Sequence, residues 1–212
     1  MQVEYSKFSQ TLVSIVADSS IKVWDAETLD QVHEFNTSAA DPPTKICAST
    51  YDDTVAVGFK SGFLRLFNLA GEKVMRHEVM VFDSPIMDIT FSACGKFMSA
   101  FYKNGKIVIF NLEKEQCTPV KNIDYEFPSG DHFSVTFSPD GAYLANISSN
   151  ANTVTIWETR NFSLRWYVDL TGDTLTKIVF APNGADLLAM TTTSKLIYLR
   201  VDPLCPEVEV VR

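Results

Sequence analysis

A six-residue stretch, IKVWDA at 21–26, returns four more times along the chain: LRLFNL at 64–69, IVIFNL at 107–112, VTIWET at 154–159 and LIYLRV at 196–201. The aligned positions Trp24, Phe67, Phe110, Trp157 and Leu199 are 43, 43, 47 and 42 residues apart. A second landmark keeps step. FSACG (91–95), FSPDG (137–141) and FAPNG (180–184) each precede an apolar run, and their glycines Gly95, Gly141 and Gly184 are 46 and 43 residues apart. ASTYDD (48–53) and YSKFSQ (5–10) hold the same place in two earlier, degenerate copies. Two landmarks sharing one period make this a repeat array, which constrains the fold more than any other feature.

Each unit reads as four strands, a to d. In the third they are IMDITF (86–91), KFMSAFY (96–102), KIVIFN (106–111) and PVKNIDY (119–125), with the turns SACG and KNG between the first three. Asn104-Gly105 predicts a tight b–c hairpin with both turn residues at positive φ. Ser61-Gly62 holds that place one unit earlier, and Asp18-Ser19, Ala151-Asn152 and Thr193-Ser194 hold it elsewhere. Pro139-Asp140 suits a type I turn, the proline fixing φ at the first central position. No window places apolar residues at helical spacing, and 15 Phe and 7 Tyr favour strands. A lone four-stranded sheet has two faces and no interior, so its burial must come from stacked neighbours. A unit of this length that stacks face to face is a β-propeller blade. The middle strands TLVSIV, DTVAVGF, KFMSAFY, AYLANI and DLLAMT are accordingly apolar, and the outer strands QVHEF and KVMRHEV are more polar. The expected fold class is all-β. Five four-stranded antiparallel blades form one propeller segment over 1–212, divided near 1–36, 37–80, 81–126, 127–170 and 171–212.

At these motifs the whole chain resembles the WD-repeat family. Trp24-Asp25 matches the dipeptide that names it, and FSPDG with Gly141 matches its a–b turn. Phe67-Asn68, Phe110-Asn111 and Trp157-Glu158 depart modestly, Leu199-Arg200 strongly, and the Gly-His pair of the family is missing from every unit. The resemblance implies a hydrogen-bonded tetrad of b–c turn Asp, His, strand-b Ser or Thr, and Trp. Only the first unit keeps Asp18 and Trp24, with Ser14 as the strand-b member, so rigidity is expected to come from packing instead. More narrowly, DDTVAVGFKSGFLRLFNL, FSACGKFMSAFYKNGKIVIFN and TVTIWETRNFSLRWYVDL resemble the large tandem-propeller WD-repeat proteins of centrioles and ciliary basal bodies. Family propellers are expected to have seven or eight blades, so five suggest part of a larger propeller with open blade edges prone to pairing; a closed five-bladed ring is the alternative.

Composition bounds the partners. The chain has 212 residues, 46% hydrophobic and 21% charged, with net charge −8 and pI near 4.9. That is globular, and it argues against a general nucleic-acid binder, which needs clustered Lys and Arg. No apolar run is long enough to insert in a membrane, and MQVEYSKFSQ lacks the pattern of a signal peptide. Cys47, Cys94, Cys117 and Cys205 form no C-x-x-C and read as free thiols of a reducing compartment. The sequons at Asn36, Asn146 and Asn161 read as chance matches.

No catalytic motif or phosphate loop is present, and no cofactor or metal is expected. His33-Glu34 and His77-Glu78 repeat at equivalent outer-strand positions and read as a surface feature. An enzyme working at a central channel needs converging groups from the inner strands. Those strands offer Lys45, Asp88, Ser134, Thr136 and Lys177, which form no coherent set. The remaining role is a non-enzymatic protein-interaction scaffold presenting its loops. Candidate contacts are the b–c turn lysines Lys60, Lys103, Lys106 and Lys195, which would attract an acidic partner segment. To these are added the d–a loop residues Phe82, Asp83, Phe127 and His132, and an outer-strand aromatic, Trp166 or its neighbour Tyr167. Two cellular settings are open: a centriolar, basal-body or ciliary structural protein of the cytoskeleton, or an adaptor in another cytosolic complex such as a ubiquitin ligase or trafficking coat.

Overall fold

The computed structural model describes residues 2–70, 75–113, 117–124, 133–147, 152–170, 172 and 174–201, with 207–211 as backbone. Twenty strands form five four-stranded antiparallel sheets, each in simple chain order. The first holds β1 (Gln2–Ser6), β2 (Thr11–Ile15), β3 (Ile21–Asp25) and β4 (Gln31–Phe35). The second holds β5 (Pro43–Ala48), β6 (Thr54–Phe59), β7 (Phe63–Asn68) and β8 (Met75–Met80), and the third β9 (Ile86–Phe91), β10 (Phe97–Tyr102), β11 (Ile107–Asn111) and β12 (Thr118–Ile123). The fourth holds β13 (Val135–Phe137), β14 (Tyr143–Ile147), β15 (Thr153–Glu158) and β16 (Ser163–Asp169), and the fifth β17 (Leu175–Phe180), β18 (Asp186–Thr191), β19 (Leu196–Arg200) and β20 (Glu207–Val211). Among the described residues there is no α-helix. Two compact units result, Met1–Asn122 with the first three sheets and Ile123–Arg212 with the last two.

Within the first unit the sheets stack face to face. Alternate residues of a strand point to opposite faces, so Val13, Ile15, Ile21 and Val23 of sheet 1 meet Ile46, Val55, Val57 and Phe67 of sheet 2. The other face of sheet 2, with Ala56, Leu64 and Leu66, meets Ile89, Met98, Ala100 and Phe110 of sheet 3. Gly58 lies in that contact, where a Cβ would fall 2.6 Å from Ile86 Cγ2. The second unit repeats the scheme: Ala145, Ile147, Val154 and Ile156 of sheet 4 pack on Ile178, Leu187, Ala189, Ile197 and Leu199 of sheet 5. Each fully buried aliphatic side chain contributes roughly 1.5–3 kcal/mol. The middle strand β6 is buried along its whole length, while the outer strand β8 is mostly exposed.

The inner strands are edges, with one row of peptide groups outside their own ladder. Side chains reach across to the next inner strand. Gln2 Nε2 donates to Ile46 O at 2.8 Å, and Gln2 Oε1 accepts from Ile46 N at 3.1 Å. Thr44 Oγ1 donates to Ile86 O at 2.6 Å. In the second unit Ser134 Oγ accepts from Ile178 N at 3.2 Å. Lys45 pairs with the buried Asp88 at 2.8 Å. The polar inner-strand residues thus tie neighbouring sheets together, an arrangement their spacing in one strand does not announce.

The b–c turns differ from the expected two-residue hairpin. Gly105 has φ of 83° but Asn104 is not at positive φ, and Gly62 has φ of 94° without Ser61. Gly105 N bonds Tyr102 O at 3.0 Å while Tyr102 N bonds Lys106 O at 2.8 Å, which makes a three-residue loop closed by one left-handed residue. Ser19 and Ser194 take that position, with φ of 70° and 61°, in the first and fifth sheets. The Asn104 side chain instead bonds forward, accepting from Lys106 N at 3.2 Å, a local bond that favours this turn over the mirror-image one.

Candidate protein-interaction surface

The b–c turns are held by the d–a loop that precedes the same sheet. Asp41 accepts from Ser61 N at 2.8 Å and Ser61 Oγ at 2.7 Å, and Pro42 O accepts from Lys60 N at 3.1 Å. One sheet later Ser84 Oγ accepts from Asn104 N at 3.1 Å, and Pro85 O from Lys103 N at 2.8 Å. Gly62 lies against the 82–84 backbone, where a Cβ would stand 2.8 Å from Ser84 O and closer still to Phe82 O. Loop and turn therefore support each other, and the first unit presents exposed Lys60 and Lys103 from a fixed backbone.

Phe82 is half-buried. Its ring meets Tyr102 edge-on with centroids 5.4 Å apart, and Lys106 Nζ lies 4.8 Å from its centroid. Phe82 thus belongs to the packed inter-sheet contact rather than standing free as an anchor, and Lys106 is committed to its face. Asp83 is exposed. In the second unit Lys195 is exposed, while Trp166 is half-buried against the core cluster of sheets 4 and 5. The exposed aromatic of that pair is Tyr167, 65% accessible, because it points to the other face of β16. Phe127 and His132 lie outside the described residues.

The motif positions are structural. Trp24 Nε1 donates to Ser14 Oγ at 2.9 Å, so the strand-b to strand-c link of the tetrad exists in sheet 1. Asp18 does not extend it. Asp18 Oδ1 accepts from Ser20 N at 2.9 Å and Ser20 Oγ at 2.6 Å, and these bonds hold its carboxyl below the ordinary value. Sheet 4 carries the same link in another form, Trp157 Nε1 donating to Asn146 Oδ1 at 2.8 Å. Sequence reasoning missed Asn146, yet a signal was available. Val57, Ala100 and Ala189 occupy that place where the partner is Phe67, Phe110 or Leu199, so a polar residue occurs only opposite an indole N–H that needs an acceptor. The residue after the aromatic has its own task. Asp25 Oδ1 accepts from Glu27 N and Thr28 N at 2.9 Å, and Asn68 and Asn111 accept from Ala70 N and Glu113 N at 2.6 Å, capping the turn into strand d. Gly141, φ 71°, donates its N–H to Ser138 O at 2.8 Å, completing the type I turn that Pro139 and Asp140 predict.

The other polar groups fit the same picture. His33 packs edge-on against Phe35 at 4.4 Å, and His77 lines a cavity of about 140 Å³ with Tyr51, Asp52 and Arg76. Glu34 and Glu78 pair with Lys22 and Arg65 at 3.9 and 2.5 Å, equivalent positions one repeat apart. Among the described residues no three His, Cys, Asp or Glu side chains are placed to hold a metal. Burial pushes the thiols of Cys47 and Cys117 up to about 12, whereas Cys94 is exposed in its a–b turn. Since the thiolate is the reactive form, iodoacetamide at pH 8 is expected to alkylate Cys94 well before Cys47 and Cys117. Peptide mass mapping of the native chain checks this, and equal labelling of all three contradicts the burial.

A chain in the crystal structure of the mitotic checkpoint complex superposes with a TM-score of 0.80 at 12% identity, over 98% of this chain and 63% of that one. The Cps50 (Swd1) β-propeller domain of Myceliophteria thermophila superposes with a TM-score of 0.77 at 14% identity, over 99% of this chain and 70% of its own. The family described as the anaphase-promoting complex subunit 4 WD40 domain matches residues 44–128. The chain has the β-propeller fold, and its sequence is similar to that of WD-repeat proteins. WD repeat-containing protein 90 of Xenopus tropicalis is 26% identical over 203 residues, which is 89% of this chain and 11% of that protein. Protein NEDD1 of Mus musculus is 25% identical over 156 residues, 71% of this chain and 23% of its own length. The chain spans a small part of the length of these curated relatives.

Proposed function

We propose that this chain is a non-enzymatic protein-interaction scaffold, serving within a centriolar, basal-body or ciliary structural protein of the cytoskeleton. WD-repeat propellers work in general as rigid platforms for other proteins. The observation that carries the reading is the pair of buttressed b–c turns. Lys60 and Lys103 are exposed one repeat apart on backbone pinned by Asp41, Pro42, Ser84 and Pro85. Pre-set cations lose little freedom when they meet a carboxylate-rich segment, which favours an acidic partner. The centriolar setting is supported by the stretches in units two to four that resemble the large tandem-propeller proteins of that organelle, and by low-identity similarity to a long WD-repeat protein across most of the chain.

The test has two arms. Binding of a fluorescent oligoglutamate peptide to the whole chain at low salt is expected to weaken at least tenfold in the double variant Lys60→Glu, Lys103→Glu. Unchanged binding removes the acidic-partner rim. A tagged copy of the full-length protein is expected at centrioles or basal bodies, and diffuse cytosolic signal removes the cellular assignment while leaving the scaffold role standing.

A further inference from the structure

The a–b turns of three sheets carry a serine at the same place, Ser49, Ser92 and Ser138, 43 and 46 residues apart, and two residues on stand Tyr51, Cys94 and Asp140. In sheet 4 that second residue takes the serine's proton: Asp140 Oδ1 accepts from Ser138 Oγ at 2.5 Å and from Ala142 N at 3.0 Å. In sheet 3 Ser92 Oγ meets Cys94 Sγ at 3.4 Å. In sheet 2 Tyr51 replaces the acceptor. Ser49 Oγ accepts from Tyr51 N at 3.1 Å and Asp52 N at 3.3 Å, which uses both lone pairs. Its own O–H has no acceptor among the described residues, although Ser49 is only 3% exposed. Buried polar groups are rarely left so. Ser49 and Tyr51 line the cavity of about 140 Å³, with Leu66, Arg76, His77 and Leu112. Arg76 and His77 also have no hydrogen-bond or ion-pair partner among the described residues. Asp52, the one carboxylate in the lining, is committed: its Oδ1 accepts from Thr54 N at 3.1 Å and its Oδ2 from Thr54 Oγ1 at 2.9 Å. The Tyr51 ring, 60% accessible, lies on Gly95, where a Cβ would fall 2.5 Å from its Cδ1.

We propose that this cavity receives a glutamate side chain from a segment of a partner protein. Complementarity decides the occupant. Three donors converge without an acceptor, the Ser49 hydroxyl, the Arg76 guanidinium and the His77 ring, which keeps an N–H in either tautomer. A carboxylate is the group that accepts from all three, and arginine matches it with two parallel bonds. The repeat shows the same solution from within, since Asp140 gives Ser138 the carboxylate that Ser49 lacks. Leu66 and Leu112 add apolar lining, which suits the methylene stem of glutamate. The exposed Tyr51 ring beside them offers the partner's neighbouring apolar residues an aromatic anchor. Strand β6 runs from this a–b turn to the b–c turn that carries Lys60, so the cavity and the lysine rim lie at opposite ends of sheet 2. A scaffold built this way holds two partner segments, one at each end of the same sheet.

Calorimetric titration of the whole chain tests this with two capped peptides, one carrying a single glutamate between two leucines and one with glutamine in its place. The glutamate peptide is expected to bind at least about tenfold more tightly. Arg76→Gln removes that preference by removing the cation, and Tyr51→Asp removes it by supplying the carboxylate from within the turn. Both side chains are exposed, and unaltered circular dichroism checks the fold of each variant. The double variant Lys60→Glu, Lys103→Glu is expected to keep the preference, which separates this site from the acidic-partner rim. Equal behaviour of the two peptides, a preference retained by Arg76→Gln or by Tyr51→Asp, or one lost in the lysine double variant overturns the proposal. So does a phosphoserine peptide that binds where the glutamate peptide does not.

Discussion

Replacing Gly62 by alanine is expected to destabilise the first unit by about 3 kcal/mol or more. Two effects add. The position has φ of 94°, a conformation that costs an L-residue roughly 1–2 kcal/mol. The new Cβ would also stand 2.8 Å from Ser84 O and closer to Phe82 O, and backbone cannot step aside as a side-chain tip can. Segment 82–85 would have to withdraw, taking Phe82 off Tyr102 and loosening the Pro85 carbonyl from Lys103 N. Gly172 supplies the control. Its φ is 98° with nothing within 4 Å of a Cβ, so Gly172→Ala carries the backbone cost alone, about 1 kcal/mol. Urea titrations followed by far-ultraviolet circular dichroism measure both. Equal losses would show that the d–a loop does not rest on the b–c turn, and the fixed presentation of Lys60 and Lys103 would go with it.

The second large effect is Phe110→Ala, expected to cost roughly 3–5 kcal/mol. Phe110 is 0% exposed on the face of sheet 3 that packs on sheet 2, in one cluster with Met98 and Leu66, so loss of its ring leaves a cavity in that contact. Trp24→Ala removes a larger side chain from the same repeat position in sheet 1, but from a half-buried site. Its cost is expected to be less than half as great. The same urea titrations compare them. If the tryptophan change proved the more damaging, stability would depend on the motif hydrogen bond and not on inter-sheet packing.

The period of about 43 residues, the alternation within strands and the turn residues are local properties of the chain. They carried the strand order, the sheet count and the buried middle strands, because a sheet that cannot cover its own apolar faces leaves only stacking as a solution. The turn glycines Gly62, Gly95, Gly105, Gly141 and Gly184 were legible for the same reason, since left-handed backbone excludes most other residues. The b–c loop type was not. Asn-Gly serves more than one hairpin, and the choice rests on how Asn104 bonds and on where Ser84 reaches it. The acceptor role of Asn146 was written in the chain, but only when five strands were compared position by position.

Tertiary structure alone decided which polar residues meet. Lys45 with Asp88, Gln2 with Ile46 and Ser134 with Ile178 are separated by 43, 44 and 44 residues, and each meeting depends on one sheet lying in a set register on its neighbour; Asp41 with Ser61, 20 residues apart, joins a loop to a turn of the sheet it leads into. It also decided that Trp166 turns inward and Tyr167 outward, and that Phe82 serves packing. Periodicity fixes which residues share a face; it does not say which of two faces is covered, because that depends on a neighbour distant in sequence.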